Sequence, residues 1–358
     1  MSATGGESPS LSTSTAKIMT DDASRDMPSP RASILRTLVR VPEFGLIVGI
    51  LVALGVIYFI DRSGRFFSPY TRQALLHQIA LFGVLAVGVA VVIIAGGIDL
   101  SIGSVVALSS VVCAKLLTTG LRGGAPAGVA PGGFVIALGI GLTLLMGLVI
   151  GLSHAGMINY FRLPPFIATL ATMAGLRSLA SLLSQNRTIN VDYPSFRFLG
   201  NNAWWTLGIF VVVAVATSVM MGSTVLGRHL FALGGNETAA RLSGLSTRRL
   251  KAVAYGLSGM LAALGGILFA GRSGQADPKL GIAYELTAIT GAVVGGCSLS
   301  GGVGSIRGTV LGLVLIEIII KATGLLSEKF DSSQIEGLVL GTVVVLAVAF
   351  NQRVRGKG

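Results

Sequence analysis

The sequence is short of charge. Only 12% of its 358 residues are Asp, Glu, Lys or Arg, too few to cover the surface of a water-soluble protein of that size. Cysteine is scarce too. Cys113 and Cys297 each sit among apolar or small neighbours, which indicates neither a disulfide framework nor a thiolate metal site. The three histidines, His77, His154 and His229, have no ligand spacing and read as interfacial residues. No GxxxxGK(S/T) run occurs, so the chain holds no nucleotide by a P-loop. The absence of HExxH, GxSxG and any clustered His, Cys or carboxylate set argues against catalysis. No secretory leader is visible either, because the first apolar run begins near Phe44 with no small-residue cleavage site behind it.

What is abundant is apolar surface and glycine. Hydrophobic residues make up 52% of the chain, there are 50 glycines, and the mean hydropathy is +0.80. This composition predicts a polytopic, all-α membrane protein. A formal net charge of +12 would suggest nucleic acid in a soluble chain. Here Arg and Lys fall mainly in loops and tails between apolar runs, so lipid headgroups and membrane orientation account for them and no nucleic-acid partner is expected.

Residues 1–33 are rich in Ser, Thr, Asp and Pro without apolar periodicity and read as a disordered tail. A transmembrane domain over 34–352 and a basic tail over 353–358 follow. At roughly 20 apolar residues per crossing, about ten spans are expected, near 44–60, 75–95, 102–119, 133–152, 165–185, 204–222, 251–271, 282–297, 304–324 and 335–350. Arg31, Arg36 and Arg40 before the first span place the N-terminus inside. An even number of spans puts the C-terminus, with Arg353, Arg355 and Lys357, on the same side. Arg62, Arg65 and Arg72 in the first outer loop count against this orientation, whereas the central basic loop supports it.

Two features interrupt the apolar pattern. Gly96-Gly97-Ile98-Asp99-Leu100-Ser101 follows the second run and Gly295-Gly296-Cys297-Ser298-Leu299-Ser300 follows the eighth. Paired glycine breaks in two halves of a transporter often flank the substrate route, although chance repetition competes in a chain this rich in glycine. The other interruption is a basic polar loop, 223–251, within which Glu237 to Gly244 reads as a short helix. Asn236 caps its first turn, Glu237 favours its positive end, Ala239, Ala240 and Arg241 are strong helix formers, and Gly244 closes it. A short, exposed helix between two spans is suited to docking.

Four blocks carry a resemblance that covers about residues 34–352. They are AGGIDLSIGS at 95–104, LPPFIATLATMAGLR at 163–177, LGRHLFALGGNETAARLSG at 226–244 and YELTAITGAVVGGCSLSGGVGSIRG at 284–308. In this order and spacing they resemble ABC-importer permeases of the ribose-type sugar family. Thr287 stands where that family usually has Asp and Thr290 where it usually has Ala. Glu317 and Lys321 occupy a span that more often carries small or amide residues there; four apart on a helix, they can pair.

The resemblance implies a permease subunit for a ribose-like monosaccharide or related polyol, in the bacterial inner membrane with both termini cytoplasmic. Two copies, as a homodimer, would form the pathway. A separate cytoplasmic ATPase would hold ATP and Mg, leaving this chain without a cofactor or metal. A periplasmic or lipid-anchored binding protein would deliver substrate. Gly235, Asn236, Glu237, Ala239, Ala240, Arg241 and Gly244 would form the coupling helix that docks on the ATPase. Asp99, Ser101, Phe166, Thr169 and Thr172 would line the pathway, with helix breaks at Gly96, Gly97, Gly295 and Gly296. For Asp99, a helix N-cap is the competing reading; for the two threonines, it is hydrogen bonding between packed helices. At the level of function, the alternatives are a permease for a furanosyl signal molecule or nucleoside, or an ion-driven secondary transporter using Asp99 or Glu317.

Overall fold

The computed structural model describes residues 42–121 and 130–326, with 337–338, 341–342 and 345. The expectations for both tails and for most of the tenth run lie outside these residues. Twelve helices are described: α1 (Pro42–Ile60), α2 (Pro69–Ile94), α3 (Ile102–Lys115), α4 (Gly133–Tyr160), α5 (Pro165–Ser184), α6 (Pro194–Asn201), α7 (Ala203–Ser223), α8 (Val225–Gly235), α9 (Glu237–Leu242), α10 (Thr247–Ser273), α11 (Tyr284–Val294) and α12 (Ile306–Leu326). A π-turn over Leu116–Gly120 extends α3. Among the described residues, seven helices are long and apolar enough to cross a membrane, and α12, with Arg307, Glu317 and Lys321, adds 21 residues. The result is an all-α polytopic bundle, apart from a two-residue antiparallel pair, Ile189–Asn190 with Gln275–Ala276.

The bundle is organised around α2. Its apolar window is 94% buried, against 6% for α1 at the same mean hydropathy of 2.4, so in a bilayer packing and not hydrophobicity sets which helix is central. Helices α7, α10, α11 and α12 pack around α2. Ser68 starts α2 by accepting from the Thr71 N–H at 3.2 Å, and Pro69 occupies the first turn where no amide is needed. In the turn before it, Asp61 accepts from the Ser63 hydroxyl at 2.7 Å and the Phe66 amide at 2.7 Å. These bonds hold its carboxyl below the usual carboxylate range. At the periphery, α1 rests on α12, where Ile57 meets Ile318 and Ala322.

Helices α4 and α10 approach until their backbones touch. A Cβ on Gly151 would lie 2.0 Å from the Tyr255 carbonyl oxygen, and one on Gly259 would lie 2.3 Å from the Gly147 oxygen. In lipid, where burying apolar side chains gives little advantage, this close approach is what lets helices associate.

Several expectations need correction. The eighth run is an 11-residue helix, α11, about 16 Å long at 1.5 Å per residue. It cannot cross a core of about 30 Å; residues 295–305 leave the helix as an irregular return. His77 and His154 are buried, not interfacial. His77 Nε2 bonds the Gly200 carbonyl where α6 folds over the bundle end. Arg272 of α10 lies within electrostatic reach of buried Glu317, so Lys321 is not the sole cation near that carboxylate.

The α4–α10 contact gives a direct test. Gly151→Val is expected to lower the thermal midpoint of the detergent-purified protein sharply, since overpacking costs about 1–3 kcal/mol or more. Gly156→Ala on the same helix, where nothing lies within 4 Å of the added carbon, should leave it near wild type. Equal midpoints for the two variants would refute backbone contact as the constraint.

Candidate functional site

The two glycine breaks have the same construction. At the end of α2, Gly96 N–H bonds Ile93 O and Gly97 N–H bonds Val92 O; at the end of α11, Gly296 N–H bonds Val293 O and Cys297 N–H bonds Ala292 O. Both are Schellman closures, and both need a left-handed residue at the turn. Gly96 and Gly296 supply it, at φ +81 and +93. The echo noted in the sequence is therefore one of backbone geometry as well as composition. The two returns also meet: Gly302 N–H donates to Ile94 O at 2.9 Å. Gly234, at the end of α8, is wedged beside them, and a Cβ there would lie 1.8 Å from Ile94 O and 2.6 Å from Gly302 N.

Asp99 sits inside the first break, 1% exposed. Its Oδ1 accepts from the Ser101 amide at 3.0 Å and the Ser101 hydroxyl at 2.6 Å, and its Oδ2 accepts from Ser258 of α10 at 2.8 Å. The residue at the α3 N-cap position is Ser101, so Asp99 closes the turn before α3 and ties it to α10. Thr169 holds the same loop from α5: its hydroxyl accepts from the Leu100 amide at 3.2 Å and lies 3.2 Å from Ile98 O. Thr172 meets His154 Nε2 at 2.8 Å, and the His154 ring stands edge-on to Tyr255 at 6.3 Å.

The structure thus brings Asp99, Ser101 and Thr169 into one buried polar cluster, with Thr172, half-buried, one turn further along α5. Phe166 does not join it and is 49% exposed in the first turn of α5. Steps of three residues turn the helix by about 300° each, so positions 166 and 172 lie about 120° apart and not on one narrow face. Sequence reasoning missed Ser258, Tyr255 and His154. A signal for His154 was present, since Gly147, Gly151 and His154 follow the spacing of a single packed face.

A second polar group lies where α11 begins. Gly281 packs on Gly103, whose Cβ would come within 2.0 Å of the Gly281 oxygen and 2.5 Å of Glu285 Oε2. That carboxylate oxygen has no hydrogen-bond partner among the described residues. Arg177 of α5 donates to the Leu280 carbonyl and lies within electrostatic reach of Glu285. Both side chains are half-buried beside a broken helix, a setting in which ionisable groups are candidates for a functional role in membrane proteins.

At the α8–α9 end, Asn236 Oδ1 accepts from the Ala239 amide at 2.9 Å and caps α9, while Gly244 turns left-handed at φ +83. Gly235, Asn236, Glu237, Ala239, Arg241 and Gly244 are exposed and only Ala240 is buried. Leu242 is 82% exposed at the tip.

A profile described as "Branched-chain amino acid transport system / permease component" matches residues 72–348. The chain is 34% identical to the ribose import permease protein RbsC of Bacillus subtilis, over 87% of this chain and 93% of that protein. The chain belongs to the ribose-type permease family of ABC importers. It is also 33% identical to the fructose import permease protein FrcC of Rhizobium meliloti, covering 88% of this chain and 85% of that one. With the L-arabinose ABC transporter permease protein AraH of Azospirillum brasilense it shares 31% identity over 92% and 94%. No solved structure matches the chain. Family membership makes it a multi-pass inner-membrane transport subunit that is not itself an enzyme, working with a separate ATPase and a substrate-binding protein.

The cluster predicts a graded response at Asp99. Asp99→Ala removes three hydrogen bonds to one carboxylate and is expected to cost more than a single bond to a charged group, which is worth about 1.5–3 kcal/mol. Asp99→Asn preserves an acceptor toward Ser101 and should retain most of the stability. Thermal unfolding of the two variants in matched detergent checks this; an Ala variant as stable as the wild type would show that the side-chain bonds do not hold the loop.

Proposed function

We propose that this chain forms the transmembrane pathway of an ATP-driven importer for a ribose-like monosaccharide or related polyol, working as a homodimer. The observation that carries the coupling part of this reading is α9: a capped, solvent-facing helix with an apolar side chain, Leu242, uncovered at its tip. A partner surface that covers Leu242 and receives Glu237 to Gly244 is the ATPase cleft. This assigns the α8–α9 end of the bundle to the cytoplasm, with the N-terminus on that side.

The names of the relatives support a sugar as solute, and the buried groups suit one. Hydroxyls and carboxylates along the Asp99 cluster and at the start of α11 can exchange hydrogen bonds with a polyhydroxylated ring without requiring it to carry charge. The mechanism follows from linkage: ATP closes the ATPase pair, α9 moves with it, and the helix breaks rearrange so that the route opens on its other side. Each state must hold its own contacts for such a switch to work. Gly234 is the link from α9 to those breaks, since it sits between Ile94 and Gly302.

Two outcomes test the reading. Uptake in cells carrying the whole system should continue when proton and sodium gradients are collapsed while ATP is maintained, and should stop when the ATPase is deleted. Uptake by this chain alone in gradient-energised vesicles would overturn it. Gly244→Asp forces a side chain into a left-handed turn at about 1 kcal/mol and places a charge at the docking edge. It should insert normally yet lose substrate-stimulated ATP hydrolysis in the reconstituted complex; normal stimulation would remove α9 from the coupling role.

A further inference from the structure

The four glycine and polar junctions leave one large feature unexplained. A cavity of about 820 Å³ opens at the α8–α9 end, between the α4–α5 turn, α9 and the first turns of α10, with Tyr255 and Gly97 at its floor. Four cations line it, Arg162, Arg241, Arg248 and Lys251, against one carboxylate, Glu237. That carboxylate already pairs with Lys251 at 2.7 Å. None of the three guanidiniums has a carboxylate among the ion pairs described here.

The backbone adds to the same field. The first turn of α10 forms one wall through Thr247 and Arg248, and its N-cap Ser246 contributes no side-chain bond. The first turn of α5 forms another through Pro164 and Pro165, again without a side-chain cap. Both are helices of 20 residues or more, so their positive ends reinforce the cations. The cavity is concave and of a size that encloses a small molecule; α9, which the ATPase is proposed to receive, forms only one of its walls, and Arg162 and Arg248 stand on the others.

We propose that this cavity is a binding site for a phosphate-bearing anion. Guanidinium forks pair bidentately with phosphate oxygens, and three guanidiniums offer more donors than a single carboxylate can engage. Two sources offer that chemistry: the headgroup of an anionic phospholipid, since this bundle end lies at the membrane surface, or a free phosphorylated sugar in solution. The site rests on the geometry of the cavity and stands whichever solute the pathway carries. Because its floor is Gly97 and Tyr255, an anion bound there contacts the first helix break and α9 at once.

The test uses the full-length chain in phosphatidylcholine nanodiscs, titrated with radiolabelled pentose 5-phosphate, with the free pentose as the neutral control. The phosphate ester is expected to bind saturably and the free pentose not. The double variant Arg162→Gln, Arg248→Gln should weaken binding at least about tenfold for each guanidinium removed, and Arg162→Lys, Arg248→Lys should restore part of it. Repeating the titration in phosphatidylglycerol discs separates the sources. If that lipid displaces the ester and is retained by the wild type but not the Gln variant in native mass spectrometry, the headgroup is the ligand. If the ester binds equally well there, the ligand is the free anion. On the unaltered chain, phenylglyoxal labelling of Arg162 and Arg248 should be slowed by whichever ligand binds, so the test survives a variant that misfolds. Binding unchanged in a folded Gln variant, or neither ligand bound and no protection from labelling, would overturn the proposal.

Discussion

Inside a bilayer every backbone N–H and C=O must find a partner within the protein, and a helix that stops there exposes several of each. Most of the architecture follows from how this chain meets that demand at two places. Schellman turns satisfy the carbonyls of Val92, Ile93, Ala292 and Val293 locally. Ile94 O takes its hydrogen from Gly302, on the other break. Thr169 and Asp99 supply side-chain partners to the amides of Leu100 and Ser101. Two interruptions that would each be costly alone are held mainly by one another and by α5 and α10.

This sets the role of α10. It must come close enough to deliver Ser258 to Asp99 and Tyr255 to Gly97, and it reaches that distance because α4 and α10 offer glycines to each other. The same helix begins beside α9 and ends beside α6. A displacement at the polar loop therefore has a rigid path to the buried carboxylate, as well as the shorter path through Gly234. The family's division of labour, with hydrolysis on a separate subunit, requires some path of this kind.

Much of this was legible in the sequence. Run lengths located α5 and α7 at both ends, and α2 and α4 at one end each, because burial in lipid imposes a hydropathy signal that depends on little else. The cap and the closing glycine of α9 were readable from Asn236 and Gly244, because capping chemistry is local. The short α11 was not. Val293 and Val294 are as apolar before a break as within a span, and only tertiary packing decides where the helix ends. The buried state of His154 and the bond from Ser258 to Asp99 depend on two helices far apart in sequence. Single serines and histidines carry no periodicity that would announce such a contact. Glu285 and Arg177 lay inside recognised motifs, but nothing local showed that a half-length helix would set them near each other.

The bond from Gly302 to Ile94 is a single, uncharged hydrogen bond joining the two breaks where glycines of each face the other. Its net worth is on the order of 1 kcal/mol, close to the 1.4 kcal/mol that separates a tenfold ratio of populations. Parting the loops thus sacrifices few contacts, and glycine surfaces leave no interlocked side chains to be unthreaded. A junction closed by one such bond resists separation only weakly of its own, so its closure depends on the helices that hold the two loops in place.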